Sequence, residues 1–562
     1  MATASVLRRR QFLRVDYAAR ALFAGEARST LIACAMLRRF SPARSYSFVT
    51  TPIFYVNAAP HIGHVYSVVM ADALHRWNAM HDRKPAIFST GTDEHGLKVQ
   101  EAAAARKIQP AEFCTQVSQK FQSLFLDCDV SYTDYIRTTE NRHLKVVDHC
   151  WSRLVDGGFI YKGAYEGWYV ISDEMFVSNS QVKEVRTNEG KVQTVSIESG
   201  NVAEWTQESN YMFKLTHFRD DLLHWLNTPG AVHPTTYIPI VKKWIDESLT
   251  DLSVSRTRER LQWGIPVPND PSQTIYVWLD ALINYLTVAG YPRESFLWPP
   301  THQIVGKDIL KFHAIYWPAF LIALGLDPPQ SIVTHAHWTR NRTKMSKSKG
   351  NVVDPVSELK RYGVSALRYY LLKEGSLYHD GDYSDERMVA ALNGDLADTL
   401  GNLLHRCTSP KVNPSMKIPR YPGNRISHLD QEMIDTLNRS CDSIIEHFNR
   451  VEFNHGLVEI FAFLHQANRF IEQNRPWDLV KDPAAKSRLD AVLSVTLETL
   501  RIAGILLQPI VPSAANRLLN QLRIPEEKRK VSNATVCILN EESCYDSELL
   551  LGKSEGVLFE KI

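Results

Sequence analysis

The chain runs to 562 residues, 44% apolar and 22% charged, with a formal net charge of +2, a composition that suits several globular domains. Its longest apolar run, Tyr316 to Leu326, is too short to cross a bilayer, and the later candidate at 491–512 is interrupted by Glu498 and Arg501, which argues against a membrane protein. The eight cysteines, at 34, 114, 128, 150, 407, 441, 537 and 544, are scattered with no Cys-x-x-Cys pair. That spacing argues against a disulfide framework or a thiolate zinc knuckle and for a reducing environment.

Residues 1–46 stand apart. They hold nine Arg, no Lys and only Asp16 and Glu26 as acids, among many Ala, Leu and Ser. An Arg-rich, acid-poor, amphipathic leader has the composition of a mitochondrial transit peptide rather than of a plain basic tail, and ARSYS at 43–47 resembles a processing site. Without the leader 55 basic and 60 acidic residues remain, a net −5. Nucleic acid would then have to be held by local basic patches.

SFVTTPIFYV (47–56) is β-rich and apolar and predicts a buried strand; NAAPHIGH follows as a turn, residues 65–81 repeat apolar positions at helical spacing, and PAIFSTGTDEHG (85–96) predicts a second strand ending in a Gly- and acid-rich loop. Strand, turn, helix and strand make a βαβ unit of a doubly wound parallel sheet, whose ligands bind at the carboxyl ends of the strands. The pattern returns at 302–306 (strand), 307–325 (helix) and 330–338 (strand), and the β-rich, Gly-punctuated segment from about 155 to 265 splits the two halves. After residue 390 long amphipathic helices follow, interrupted by a Pro-rich connection at 409–424.

Two short motifs carry the chemistry. His61 and His64 flank Gly63 at a predicted helix start, without the Glu or Cys that would suggest a metal. Free N–H groups and the helix dipole favour anions there. Imidazole N–H donors suit phosphate oxygens, and Gly63 leaves room for a nucleoside. About 280 residues later, TKMSKSKGN (343–351) places Lys344, Lys347 and Lys349 in a small hydroxyl-rich loop, where lysines can reach the charge that builds on a departing pyrophosphate.

The ordered pair His-Ile-Gly-His and Lys-Met-Ser-Lys-Ser resembles the paired signatures of class I aminoacyl-tRNA synthetases. With TGTDEHG (90–96), YVWLDALINY (276–285), VGKDILKFHAIYWP (305–318) and KMSKSKGNVVDP (344–355), nearly the whole chain after the leader is similar to methionyl-tRNA synthetases of the bacterial and organellar short form. The resemblance implies that Tyr55, Trp278, Tyr285, Ile309 and His313 line a methionine pocket and that Asp93 receives the α-ammonium. Alone, Trp278 and Tyr285 suit an ordinary core, and Asp93 suits a helix cap. It further implies ATP contacts from His61, Gly63, His64, Lys307, Asp308, Lys344 and Lys347, with Mg²⁺ accompanying ATP. His61, His64, Lys344 and Lys347 would be the catalytic set. In the helical part, Asn402, Arg406 and Trp477 would read the CAU anticodon of tRNA(Met), although unaided they suggest a surface pair and a core tryptophan.

The domain order implied is a leader (1–46), a Rossmann-type catalytic domain in two halves (47–154 and 266–343) around an insertion (155–265), and a KMSKS and stem-contact region (344–390). A helical anticodon-binding bundle (391–540) and a tail packing back on the body (541–562) complete it. The segment YEGWYVISDEMF (165–176) lacks the Cys pairs that many relatives carry, so no structural zinc and no other metal is expected; Leu282 and Ala336 replace the commoner Pro and Gly. The insertion is too short for a large editing domain. With the leader, the expectation is a methionine–tRNA ligase of the mitochondrial matrix, monomeric and without a membrane partner. The rivals are a class I synthetase for another apolar amino acid and a non-catalytic RNA-binding paralogue.

Overall fold

The structure, a computed structural model, describes residues 46–562 apart from 171–174, 178, 187–191, 198–199, 346–349, 424–425 and 540–549. The leader expectation therefore falls outside the described residues.

Seven parallel strands form the central sheet: β1 (Ser47–Thr50), β2 (Phe54–Tyr55), β3 (Ala86–Asp93), β4 (Asp134–Arg137), β5 (Val232–His233), β6 (His302–Gly306) and β7 (Ile332–His335). Their order is β5-β7-β6-β1-β3-β2, with β4 also paired to β3. The single strand expected at 47–56 is interrupted. Thr50 pairs with Ser89 and Phe54 with Thr92, so Thr51, Pro52 and Ile53 face only Thr90 and Gly91. Pro52 has no N–H for the ladder, and the chain bulges there before regaining register at Tyr55 and Asp93. On the other side of β3, a Cβ on Gly91 would lie 1.9 Å from the carbonyl oxygen of Ile136, so β4 can pair beside the end of β3 only because this residue is glycine.

Between the two halves, Ile160–Val170 pairs antiparallel with Ala203–Phe213 over their full length, and a hairpin joins Val182–Arg186 to Val192–Ser196. Not all of 155–265 stands apart, because β5 pairs in parallel with β7 and belongs to the central sheet.

The helices that matter for the site are α1 (Ile62–Ala79), α2 (Asn141–Asp156) and α3 (Val277–Ala289); the bundle and its approach comprise α4 (Val364–Glu374), α5 (Asn402–Cys407), α6 (His428–Asn449), α7 (Phe453–Asn474) and α8 (Lys486–Leu507). One continuous apolar core runs from α1 through α4 into α6, α7 and α8. Its polar junction is Arg368 on α4, 1% exposed at its side chain. That guanidinium donates to Asp72 of α1 at 2.6 Å, to the carbonyls of Cys128 and Asp129, and to those of Pro509 and Ile510 just beyond α8. Burial pushes the Asp72 carboxyl up, but Arg368, Arg76 and two hydrogen bonds from Ser131 outweigh it and hold it below the usual carboxylate range. Residues 550–562 return to the body, where Leu551 N–H donates to Met416 and Gly552 N–H to Gln521.

The helix expected at 307–325 is three pieces: a 3₁₀ turn at Lys307–Ile309, a π turn at Phe312–Tyr316 and an α-helix at Trp317–Ala323. Pro318 is the cause. It offers no N–H to the carbonyl four residues back, and the Trp317 N–H bonds to Phe312, five residues back. Among the described cysteines, 114, 128, 150, 407 and 441 are buried free thiols. Cys537 is disulfide-bonded, which the spacing did not reveal. No described helix is long and apolar enough to cross a membrane.

Candidate active site

At the carboxyl ends of β2, β3, β6 and β7 lies a cavity of about 370 Å³, within the range of small-molecule sites. Its walls include Tyr55, His61, Gly63, His64, Asp93, Trp278, Tyr285, Asp308, Ile309 and His313. Ten residues separated by more than 250 positions thus share one wall. Leu282 and Ala336, the two departures from the commoner pattern, line it as well.

His61 is the N-cap of α1. Its Nδ1 accepts from the Gly63 N–H at 3.1 Å, while the His61 N–H donates to Nδ1 of His64 at 3.1 Å, a reciprocal capping box built from two imidazoles. Both Nδ1 atoms are acceptors, so each neutral ring carries its proton on Nε2. The rings stack with centroids 3.7 Å apart. Gly63 gains a second reason: a Cβ there would meet the His61 ring at 3.0 Å.

Across the cavity, Trp278 stacks on Phe312 with centroids 3.6 Å apart and planes at 11°. Tyr285 donates its hydroxyl hydrogen to Nε2 of His313 at 2.8 Å, and His313 Nδ1–H donates to the Ile309 carbonyl at 3.0 Å. Burial pushes the His313 ring down to about 4, so it is neutral near pH 7. The π turn carries both His313, on this wall, and Phe312, stacked on Trp278. The result is an aromatic wall in which the Tyr285–His313 pair is satisfied and uncharged, suited to a polarizable thioether.

Asp93 ends β3, register-paired with Tyr55, and is held by its neighbours. Glu94, wholly buried, accepts from Arg137 Nε at 2.7 Å and from Thr92 and Thr139. Its carbonyl accepts from Trp263 Nε1 at 2.6 Å. His95 donates to Asp280 on α3. Sequence reasoning missed these supports, along with Phe312, Met345 and His335. Met345 and His335 both line the cavity, and His335 bonds Ser67 at 2.8 Å. Only Met345 carried a local signal, inside the lysine motif.

Lys307 is not part of the cavity wall; its ammonium pairs with Asp380 at 2.6 Å, and Asp308 pairs with His337 at 3.0 Å. The backbone of Lys344 lies in a short strand, Thr343–Lys344, paired with Trp338–Arg340; its side chain and all of Lys347 fall outside the described residues. In the bundle, Asn402 and Arg406 lie four residues apart on α5, and Arg406 pairs with Glu472 of α7 at 2.6 Å. Arg475, in a left-handed conformation (φ 48°), ends α7 and turns the chain into Pro476–Leu479. The turn brings a part-buried Trp477 to that same end of α7.

A family model described as tRNA synthetases class I (M) matches residues 47–408, and one described as the anticodon binding domain of methionyl tRNA ligase matches residues 420–543. The chain belongs to the methionyl-tRNA synthetase family. Membership makes it a class I methionine–tRNA ligase by descent, with a parallel-sheet core and a helical anticodon-binding domain. The mitochondrial methionine–tRNA ligase of Xenopus laevis is 46% identical over 535 residues, 94% of this chain and 95% of that protein. The corresponding Homo sapiens protein is 47% identical over 504 residues, 86% and 85% of the two. Among solved structures, the Mycobacterium tuberculosis methionyl-tRNA synthetase in complex with methionyl-adenylate superposes with a TM-score of 0.84 at 36% identity, covering 91% of this chain and 99% of that one.

Proposed function

We propose that this synthetase activates methionine with ATP in the mitochondrial matrix and transfers it to the tRNA that bears a CAU anticodon. The observation that carries the reading is the cavity itself. A neutral aromatic pocket around Trp278, Tyr285 and His313 opens on one side to Asp93 and on the other to the paired Nε2–H donors of His61 and His64. The M. tuberculosis relative, solved with methionyl-adenylate, supports it. So do the relatives named as mitochondrial and the Arg-rich residues that precede the start of the family match at 47.

In this mechanism Asp93 receives the α-ammonium, and the aromatic pocket takes the thioether. The methionine carboxylate, ionised at neutral pH, attacks the α-phosphorus of ATP in line and pyrophosphate leaves. No general base is required, so catalysis is positioning and charge stabilisation. His61 and His64 donate to phosphate oxygens at the head of α1, and Lys344 and Lys347 close over the leaving group. ATP enters as its Mg²⁺ complex and is a substrate. The tRNA 3′-terminal ribose hydroxyl then attacks the adenylate carbonyl and releases AMP. Asn402, Arg406 and Trp477 read the anticodon. Residues 155–265 contain no cysteine, so the insertion cannot form a thiolate zinc knuckle. ATP–pyrophosphate exchange with each amino acid in turn tests the reading: methionine alone should drive exchange, and silence with methionine would sink it.

A further inference from the structure

Asp280 is 1% exposed at its side chain and lies on α3, two residues after Trp278 and five before Tyr285. One of its oxygens accepts from His95 Nδ1 at 2.7 Å and the other from His143 Nε2 on α2 at 2.7 Å; His143 Nδ1 in turn meets the Thr287 hydroxyl at 2.9 Å. The expected reaction uses none of these four groups, and none of the four lines the cavity.

We propose that the buried chain His95–Asp280–His143 is a positioning device for methionine. It locks the loop that carries Asp93 against the helix that carries Trp278 and Tyr285, and so sets the distance between the ammonium and side-chain subsites. The inference rests on the reading of Asp93 given above.

The geometry explains why a carboxylate is needed. Both Asp280 oxygens accept imidazole N–H groups, which assigns the proton of His95 to Nδ1 and that of His143 to Nε2 and leaves His143 Nδ1 to accept from Thr287. Burial pushes the Asp280 carboxyl up, but His95 and His143 outweigh it and keep it below the usual range, so the acceptor stays charged. Glu94, which lies between Asp93 and His95, is held by Arg137 and Thr139. The two residues that follow Asp93 are therefore tied in different directions, Glu94 to the β4 end of the sheet and His95 to α3. The phosphate side is independent: His61 and His64 are held by their own capping box on α1, which contributes nothing to the chain.

That independence makes the test. An Asp280→Asn side chain offers one acceptor and one donor to two N–H groups, so one imidazole loses its partner. In pyrophosphate exchange with the full-length enzyme, the KM for methionine should rise roughly tenfold or more, the scale of one lost buried hydrogen bond, while the KM for ATP stays within about twofold. His95→Asn, whose amide N–H can occupy the place of Nδ1–H, should retain most of the methionine affinity that His95→Ala loses. This pair decides the matter if Asp280→Asn fails to fold. Equal rises in both KM values, or no difference between the two His95 variants, would overturn the proposal. Asp93→Asn serves as the reference. If it leaves the methionine KM unchanged, the reading of Asp93 fails; if it raises that KM while His95→Ala does not, only the positioning chain fails.

Discussion

Tyr285 and His313, 28 residues apart in the chain, share a hydrogen bond of 2.8 Å in the wall of the cavity, with the phenol donating to Nε2. The direction follows from the other ring nitrogen, whose N–H is committed to Ile309. Neither group can be deleted without stranding the other.

Tyr285→Phe keeps the ring and removes the donor, leaving His313 Nε2 buried without it. An unsatisfied buried acceptor costs about 1–3 kcal/mol. Methionine binding, measured as the KM in pyrophosphate exchange, should weaken by about one to two orders of magnitude, with ATP binding nearly unchanged.

Burial also holds three imidazoles neutral: His302, His313 and His335 are each pushed down to about 4 from 6.5. Between those values the unfolded chain binds more protons than the folded one. Their contribution to stability is thus complete above pH 6.5 and is lost as pH falls toward 4, at about 1.4 kcal/mol per pH unit for each ring. Urea unfolding at several pH values should show this slope, and His302→Gln should reduce it by one proton.

Gly63→Ala places a methyl group 3.0 Å from the His61 ring. The ring must shift, and the capping box shifts with it. The exchange rate should fall at least tenfold, whereas thermal stability should drop only by the cost of a lost N-cap, about 0.5–2 kcal/mol. A large loss of stability with an intact rate would contradict the role given to the paired rings.

Trp477→Ala should lower tRNA aminoacylation by the value of a stacked base, about 1–3 kcal/mol, and leave pyrophosphate exchange untouched. Equal losses in the two assays would contradict anticodon contact.

Arg368→Met removes the buried cation of Asp72 and leaves it only the part-exposed Arg76, which should destabilise the protein in chemical unfolding by up to about 3 kcal/mol. Adding Asp72→Asn should recover part of it, because the buried carboxylate that lost a partner is then neutral.

What was legible in the sequence is what is local. His61, Gly63 and His64 act through a capping box that spans four residues, and the expected strands at 85–96 and 302–306 contain β3 and β6. The bulge at Thr51–Ile53 and the π turn at Phe312–Tyr316 escaped notice, although Pro52 and Pro318 mark both. A hydrophobic pattern survives a missing N–H, but the hydrogen-bond ladder does not. The supports of Asp93 were beyond reach for a different reason. Glu94 and Arg137 are 43 residues apart, and His95 and Asp280 are 185 apart; no periodicity connects such pairs before the sheet brings them together. Arg406, expected at a base edge, rests on Glu472 in this structure, a competitor that appears only when α5 packs on α7.

Arg368 bears on how the molecule can be divided. Two of its hydrogen-bond acceptors, the carbonyls of Pro509 and Ile510, belong to the segment after α8, whereas its carboxylate partner Asp72 lies in the helix that begins with the histidine pair. A fragment ending at Thr408 would retain every residue of the cavity and still lose the two carbonyls that hold Arg368 against that helix. The tRNA-reading half is thus part of the scaffold of the chemistry, not cargo attached to it. Cutting the chain before residue 509 should therefore impair amino acid activation as well as tRNA charging.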